Sequence, residues 1–140
     1  MKTRLLALLA LAAATATLAH PAAAATKATA PVIVQKDSRF GRVLFTRAHQ
    51  ALYYWTVEKK AGGKIRCVGS CAKAWPPLIV KSAAAVPSKL AGVRGTFGVV
   101  KRPDGRLQAT YNRLPLYGYA HEGPNQILCN NVDGWFVVRV

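Results

Sequence analysis

The stretch Tyr53-Tyr54-Trp55-Thr56-Val57-Glu58 is matched in pattern by Tyr117-Gly118-Tyr119-Ala120-His121-Glu122. Both read Tyr-x-aromatic-x-x-Glu, a leucine precedes each copy, and a tryptophan follows each copy at some distance. The chain has only 5 acidic residues, so two of them at matching positions indicate a repeat rather than chance. The pattern therefore predicts a protein built from two related units.

The two units span about residues 40–90 and 97–140. Each contains a hairpin, the Tyr-x-aromatic strand, a loop and a segment that begins with tryptophan, Trp75 in the first unit and Trp135 in the second. A unit of this size cannot easily bury its own apolar face. We therefore expect the two units to pack together as one compact, mostly β domain.

Short β-branched and aromatic runs predict the strands. Residues 42–46 and 51–57 form a hairpin in this interpretation, and Pro103-Asp104-Gly105 supplies the turn of a second one. The remaining predicted strands are residues 78–80, 97–101, 106–111, 114–119 and 135–140. One short helical turn is predicted near Cys71–Trp75, with Ser70 as its N-cap and Pro76-Pro77 ending it.

The first 25 residues have the pattern of a secretory signal peptide. Lys2 and Arg4 precede an apolar run over residues 5–18, and small residues at 22–25 offer a cleavage site. An uncleaved N-terminal anchor is the alternative. No cysteine precedes residue 67, so no lipobox is expected, and no later apolar run is long enough to cross a membrane. We expect a periplasmic or extracellular protein with a flexible leader at residues 26–38 and a folded domain at 39–140.

The charge is strongly positive. The chain has 20 Lys and Arg against 5 Asp and Glu. Without Lys2 and Arg4, 18 basic residues remain against 5 acidic ones, a formal +13. Such a charge favours anionic polymers and surfaces, although an exported protein is a poor partner for nucleic acid. The denser groups, Lys59-Lys60-Lys64-Arg66 and Lys101-Arg102-Arg106, are interpreted as solvated loops, and a basic protein with no dedicated anion site is the alternative.

The stretch Cys67-Val68-Gly69-Ser70-Cys71-Ala72-Lys73-Ala74-Trp75-Pro76-Pro77-Leu78 resembles a conserved segment of a bacterial secreted-repeat family. These are the predicted lipoproteins with a Tyr-x-(Phe/Trp/Tyr)-x-x-Asp motif, which the Tyr53 and Tyr117 segments also resemble. The resemblance covers about residues 40–140 and implies this architecture and export, but no particular activity. This chain departs from the family in having Glu58 and Glu122 instead of Asp, and in lacking the lipobox cysteine.

Cys67 and Cys71 are the candidate disulfide. An oxidising compartment favours a bridge, and Gly69 allows the chain to turn between the two sulfurs. Pairing of either cysteine with Cys129, or ligation of a metal or haem, are the alternatives. Cys129 is otherwise an odd thiol, interpreted as a small buried hydrophobe, an intermolecular bridge or a reactive group.

The remaining candidate residues are aromatic, acidic or histidine. The motif aromatics Tyr53, Trp55, Tyr117 and Tyr119, with Trp75 and Trp135, fit either a sugar-stacking surface or a β core, and the core is favoured. Glu58 and Glu122 fit either a glycosidase carboxylate pair or acceptors of backbone N–H groups, and the second is favoured. His49 and His121 could join the cysteines in a metal site, or be solvated turn residues.

We therefore expect a non-enzymatic envelope module without a cofactor that binds an anionic envelope polymer or another envelope protein. The second hypothesis is a small metal- or redox-linked periplasmic protein that uses Cys67, Cys71, Cys129, His49 or His121. An enzyme acting on cell-wall sugar through Glu58 and Glu122 is the third.

Overall fold

A computed structural model describes residues 29–140, so the predicted signal peptide lies outside the described residues. Antiparallel strands dominate, which confirms the mostly β fold class. The strands are β1 Val32–Asp37, β2 Gly41–Thr46, β3 Tyr53–Trp55, β4 Ile79–Val80, β5 Phe97–Lys101, β6 Leu107–Tyr111, β7 Leu114–Pro115 and β8 Trp135–Val137. The helices are α1 Thr56–Lys60, α2 Ser70–Ala74 and a 3-10 turn, Ala83–Ala85.

The named strands pair antiparallel throughout, in two hairpins, in the pairings of β6 with β4 and β7, and in one pairing between β3 and β8. β1 pairs with β2, and β5 pairs with β6, both antiparallel. β6 also pairs with β4 and β7, so it lies at the centre of its sheet. β3 pairs with β8, which brings the last strand onto the first half of the molecule.

Residues after Trp135 complete the sheet of the first half. The Val138 N–H donates to the Leu52 carbonyl at 2.8 Å, and the Leu44 N–H donates to the Val138 carbonyl at 2.9 Å. Leu52 in turn donates its N–H to the Leu44 carbonyl at 2.9 Å. The last segment of the second unit is therefore part of the first unit's backbone ladder.

Residues after Trp75 do the same for the second half. The Leu78 N–H donates to the Leu116 carbonyl at 2.9 Å, and the Ala109 N–H donates to the Leu78 carbonyl at 2.9 Å. Leu116 donates its N–H to the Ala109 carbonyl at 3.0 Å. Each half thus supplies the strand that completes the other, and the two halves are interleaved.

Two hydrophobic clusters fill the interior, and the motif residues divide between them. Leu52 and Leu116 lie in one cluster, together with Leu44 and Val138. The tyrosines that follow them lie in the other cluster, because successive side chains of extended backbone point to opposite faces. That second cluster contains Tyr53, Tyr117, Trp75, Trp135, Cys67, Val43, Phe45, Ala51, Ile127 and Val137.

The ordered structure begins earlier than the sequence indicates. Residues 26–38 were assigned to a flexible leader, but β1 occupies Val32–Asp37 and pairs with β2 from Val32 opposite Thr46. Val32 is buried, and its β-branched neighbours suit a strand. The Asp37 carboxylate accepts the N–H groups of Arg39 and Phe40 and so closes the hairpin turn.

The predicted strand over residues 51–57 is too long. β3 ends at Trp55 and α1 begins at Thr56, whose N–H donates to the Gly134 carbonyl at 2.9 Å. The helical turn brings Glu58 inward, where it is fully buried, whereas an extended chain would alternate faces. Similarly, β7 and β8 cover only the first residues of the strands predicted at 114–119 and 135–140.

The helical turn near Cys71–Trp75 is confirmed as α2, but its N-cap is wrong. Ser70 is the first helical residue, and Gly69 precedes it with φ of 57°. No side chain caps this helix by a hydrogen bond. Glycine adopts positive φ without steric cost, so it suits the sharp entry into α2.

Candidate functional site

The two motifs meet at the centre of the molecule. The Tyr53 N–H donates to the Tyr117 carbonyl at 2.8 Å, and the Tyr117 N–H donates to the Tyr53 carbonyl at 3.0 Å. Each hydroxyl then reaches the acid of the other motif. The Tyr53 hydroxyl donates to Glu122 at 2.5 Å, and the Tyr117 hydroxyl donates to Glu58 at 2.8 Å. We call these four residues the Tyr–Glu cluster.

Backbone donors hold both carboxylates in place. Glu58 Oε1 accepts the N–H groups of Arg66 at 2.7 Å and Cys67 at 3.0 Å, and Glu122 Oε1 accepts the Leu128 N–H at 2.6 Å. Both acids therefore accept backbone N–H groups, which is the alternative that the sequence favours over a glycosidase carboxylate pair. Oε2 of each glutamate is buried without a hydrogen-bond partner among the described residues.

The tyrosines of this cluster are donors that resist ionisation. Both side chains are fully buried. Burial raises the pKa of Tyr53 and Tyr117 far above the ordinary value, and the hydrogen bonds to Glu122 and Glu58 raise each further. A buried phenol beside a carboxylate keeps its proton, because ionisation would place two negative charges together in a poorly solvated site. The cluster therefore has fixed donors and acceptors.

The tryptophans stack above this cluster. Trp75 and Trp135 lie parallel with ring centroids 4.0 Å apart, and Trp55 stacks on Trp135 at 5.2 Å. Trp75 also meets the Tyr53 ring edge-on at 5.3 Å, as Trp135 meets the Tyr117 ring at 5.1 Å. Because Trp75 and Trp135 are buried against each other, their faces form core rather than an open sugar-stacking platform.

The disulfide between Cys67 and Cys71 is present, with Cα atoms 5.2 Å apart, which confirms this prediction. Cys67 is fully buried, and its N–H is one of the donors to Glu58. The bridge therefore connects the Tyr–Glu cluster to α2 and to Trp75 beyond it. It also leaves neither sulfur as a thiolate for a metal.

Arg102 and Gln108 belong to the buried network, although the sequence interpretation missed both. Arg102 was assigned to a solvated loop, but it is only 3% exposed. Its guanidinium donates to Gln108 Oε1 at 2.5 Å and to the Cys67 carbonyl at 2.8 Å, and Gln108 donates to the Leu116 carbonyl at 2.7 Å. Local sequence carries no signal for this burial, because the carbonyl that Arg102 caps comes from the other unit.

Cys129 lies beside the Tyr–Glu cluster as a half-buried free thiol. Partial burial and the nearby Glu122 carboxylate raise the pKa of the Cys129 thiol, and a hydrogen bond to Tyr119 opposes this. His121 is exposed and contacts the Tyr119 ring at a centroid distance of 5.3 Å. A raised pKa reduces the thiolate fraction on which reactivity and metal binding depend.

The candidate metal ligands are not assembled. His49 is exposed in the turn after β2, where its Nδ1 makes a hydrogen-bonding contact with Gln35. Across residues 29–140, no three His, Cys, Asp or Glu side chains come together as a set that could hold a metal ion.

Lys64 of the first dense basic group lies beside the second group, Lys101-Arg102-Arg106, at the surface. Lys64 and Lys101 line one depression together with Arg102 and Pro103. A neighbouring depression shares Arg102 and Pro103 and is lined by Lys73 and Arg106. We define the basic surface as Lys64, Lys73, Lys101 and Arg106. It joins the segment before the disulfide, α2 and the turn between β5 and β6.

Comparison with known proteins matches part of the chain to a family model. Neither a curated protein nor a solved structure matches the chain. Among residues 29–140, no helix combines the length and apolar character needed to span a bilayer. Residues 35–79, from within β1 to the first residue of β4, match the model of Lipoprotein_15, a secreted repeat of unknown function; this match confirms the family resemblance and indicates an exported protein.

Proposed function

We propose that this exported protein is a non-enzymatic binding module of the periplasm or cell exterior, and that it binds an anionic envelope polymer through the basic surface. The observation that supports this is the convergence of four cations from three separate segments of the chain around Arg102 and Pro103. Clustered cations attract a polyanion more strongly than the same charges scattered over a surface.

The distribution of acids strengthens this field. Glu58 and Glu122 are buried in the Tyr–Glu cluster, so two of the 5 acidic residues are absent from the surface. Asp104 lies within the basic surface and pairs with Arg106 at 2.7 Å. Lys64, Lys73 and Lys101 take part in no ion pair among the described residues, so their charges are available to a polymer.

Charge reversal tests the proposal. The variant Lys64→Glu/Lys101→Glu should weaken binding to an acidic polysaccharide such as polygalacturonate by about tenfold or more, since each reversed contact costs on the order of 1 kcal/mol. Lys36→Glu/Lys89→Glu makes the same charge change at exposed residues outside both depressions and serves as the matched control. Isothermal titration or biolayer interferometry at several salt concentrations gives the affinities.

The salt dependence separates the outcomes. Wild-type affinity should fall steeply as salt rises, because exposed charges are screened beyond about 8–10 Å at ordinary ionic strength. Equal losses in both double variants would show that net charge alone causes binding and that the basic surface has no special role. No binding to the polymer at low salt would refute the proposed function, and capture of an envelope protein instead would replace it.

A further inference from the structure

A separate groove lies between the motif strand of the first unit and the end of the β6–β7 hairpin. Leu116 and Val138, both buried, line its inner side, and Leu114 continues this apolar lining. Tyr54 and Tyr111 contribute aromatic side chains. We call this the tyrosine groove. It shares no lining residue with the basic surface.

Both tyrosines of the groove are held in place from behind. The Tyr54 ring stacks on Phe136 with centroids 5.9 Å apart and an angle of 21°. The Tyr111 ring packs against Phe97 at 5.0 Å. It also lies directly on Gly95, where an added Cβ would overlap the ring. A groove with rigid aromatic sides loses little conformational entropy when a ligand enters.

The solvent side of the groove carries positive charge and no negative charge. Lys59 and Arg139 are exposed and line it, with Asn112 beside them. No acidic residue lines the groove, and neither cation takes part in an ion pair among the described residues. The Lys59 ammonium lies 5.6 Å from the centroid of the Tyr54 ring, so this cation borders the aromatic lining. Apolar and aromatic groups inside, with two cations outside that no acidic side chain pairs with, match a ligand that has an apolar ring face and an anionic edge.

The second motif has no aromatic side chain at the position of Tyr54. In the second motif Gly118 stands where the first has Tyr54, directly after the motif tyrosine. A Cβ on Gly118 would lie 2.9 Å from the Gln50 side chain, whose amide donates to the Tyr119 carbonyl at 2.8 Å. Gln50 thus occupies the equivalent position in the other half. A side chain like that of Tyr54 therefore has no free space at Gly118 in the second motif.

We propose that the tyrosine groove binds a carboxylate-bearing sugar ring of an acidic polysaccharide. The C–H groups of a pyranose suit the aromatic and aliphatic lining, and its carboxylate suits Lys59 and Arg139. This inference rests on the proposed function in one respect: it names the chemical class of the anionic polymer. The basic surface would then attract the chain through its charge, and the groove would recognise one of its rings.

A short oligosaccharide tests the groove separately from the polymer. Trigalacturonate is added to the isotope-labelled protein, and amide chemical shifts are followed by NMR. The expected changes centre on Tyr54, Asn112 and Arg139. Lys59→Gln/Arg139→Gln should weaken trigalacturonate binding about fivefold or more, because two charge-assisted contacts are lost. Lys60→Gln/Arg47→Gln removes the same two charge types at exposed residues outside the groove and should change affinity less than about twofold.

The outcomes distinguish the inference from the proposed function. Shift changes confined to Lys64 and Lys101 and their neighbours would overturn the groove and leave the basic surface in place. Groove binding of the trimer, with polymer affinity unaffected by Lys64→Glu/Lys101→Glu, would do the reverse. Equal binding of a neutral trisaccharide would refute the carboxylate requirement. No shift change with trigalacturonate at millimolar concentration would overturn the inference.

Discussion

At the scale of single residues, the Tyr–Glu cluster explains why each motif begins with a tyrosine and ends with a glutamate. Each tyrosine donates to Oε1 of the buried acid in the other motif, and backbone N–H groups donate to the same oxygen. Removing a donor from a buried charged acceptor costs more than an ordinary hydrogen bond is worth, because the acceptor stays desolvated. The motif is therefore a reciprocal clamp between the two units, defined by the residues of the Tyr–Glu cluster.

Tyr117→Phe should lower the free energy of unfolding by about 1–3 kcal/mol, since Glu58 loses a buried donor. Tyr54→Phe is the control. Its hydroxyl makes no hydrogen bond among the described residues, so a change within about 0.5 kcal/mol is expected. Urea unfolding followed by tryptophan fluorescence gives both values. Equal effects of the two substitutions would argue against the clamp.

The raised pKa values of Tyr53 and Tyr117 predict alkaline instability. Because each folded pKa lies above the unfolded value near 10.0, the unfolded state loses protons first as pH rises. The stabilising contribution is complete below about pH 10 and decreases above it. Urea midpoints measured on either side of pH 10 should fall less steeply in Tyr53→Phe/Tyr117→Phe than in the wild type.

Tyrosinate absorbance provides an independent check. Because burial and the hydrogen bonds to the glutamates raise their pKa values, Tyr53 and Tyr117 should ionise only as the protein unfolds. If all five tyrosines titrate together in the folded state, the cluster is not closed to solvent.

At the scale of elements, tight turns hold the two units against each other. Gly63 follows α1 at φ of 86°, and an added Cβ would overlap the carbonyl oxygen of Arg113, which lies in the turn between β6 and β7. Gly63, in the loop after the first motif, therefore packs directly against the backbone of the second unit. Backbone atoms cannot move aside as a flexible side chain can, so only glycine fits here.

Gly63→Ala should therefore lower the free energy of unfolding by about 3 kcal/mol or more, through positive φ and overlap together. Gly41→Ala is the matched control, because Gly41 also has positive φ, at 75°, but a Cβ there would meet nothing within 4 Å. About 1 kcal/mol is expected for that variant. Chemical denaturation of both proteins decides, and a smaller loss for Gly63→Ala than for Gly41→Ala would contradict the close approach.

The disulfide between Cys67 and Cys71 also stabilises the arrangement of elements, because it fixes the start of α2. Closing a short loop reduces the entropy of the unfolded chain by an amount worth about 2 kcal/mol. Cys71→Ser should cost about that much, and Cys129→Ser, which breaks no bridge, should cost clearly less. Thermal unfolding measures both. A Cys71→Ser protein as stable as the wild type would show that packing of Trp75 fixes α2 without the bridge.

At the scale of the whole molecule, the interleaved strands make the two halves inseparable by backbone contacts. The segment after Trp75 pairs with the second half, and the segment after Trp135 pairs with the first. The connection between the halves leaves β4, passes the exposed residues Ser82 and Ala83, and enters β5. We therefore expect the exchanged strand pairing to hold the two halves together more strongly than the covalent connection between them does.

A protease site inserted after Ser82 should therefore give two fragments that remain associated after cleavage. Size-exclusion chromatography in native buffer should show one species of unchanged size, and the same sample should give two bands under denaturing conditions. The wild-type protein treated with the same protease is the control. Separation of the fragments in native buffer would contradict the interleaved arrangement.

Much of this architecture is already present in local sequence. β5 and β6 were predicted almost to the residue, because Pro103-Asp104-Gly105 carries strong turn chemistry between two β-branched runs. The disulfide was predicted from compartment, spacing and Gly69, and α2 was predicted from Ser70 and the Pro76-Pro77 pair that ends it. β1 was missed, and its residues were assigned to the leader at 26–38, because residues 26–31 are rich in alanine and threonine and are followed directly by the strand.

The sequence by itself determined a mostly β fold, predicted two related units and drew attention to their tyrosines and glutamates, since periodicity and turn chemistry are properties of neighbouring residues. Only the tertiary structure decided that each tyrosine serves the glutamate of the other unit, that Arg102 is buried, and that Lys64 and Lys101 lie together. These contacts join residues far apart along the chain. Their energies depend on which strand of one unit completes the sheet of the other, and no local pattern encodes that choice.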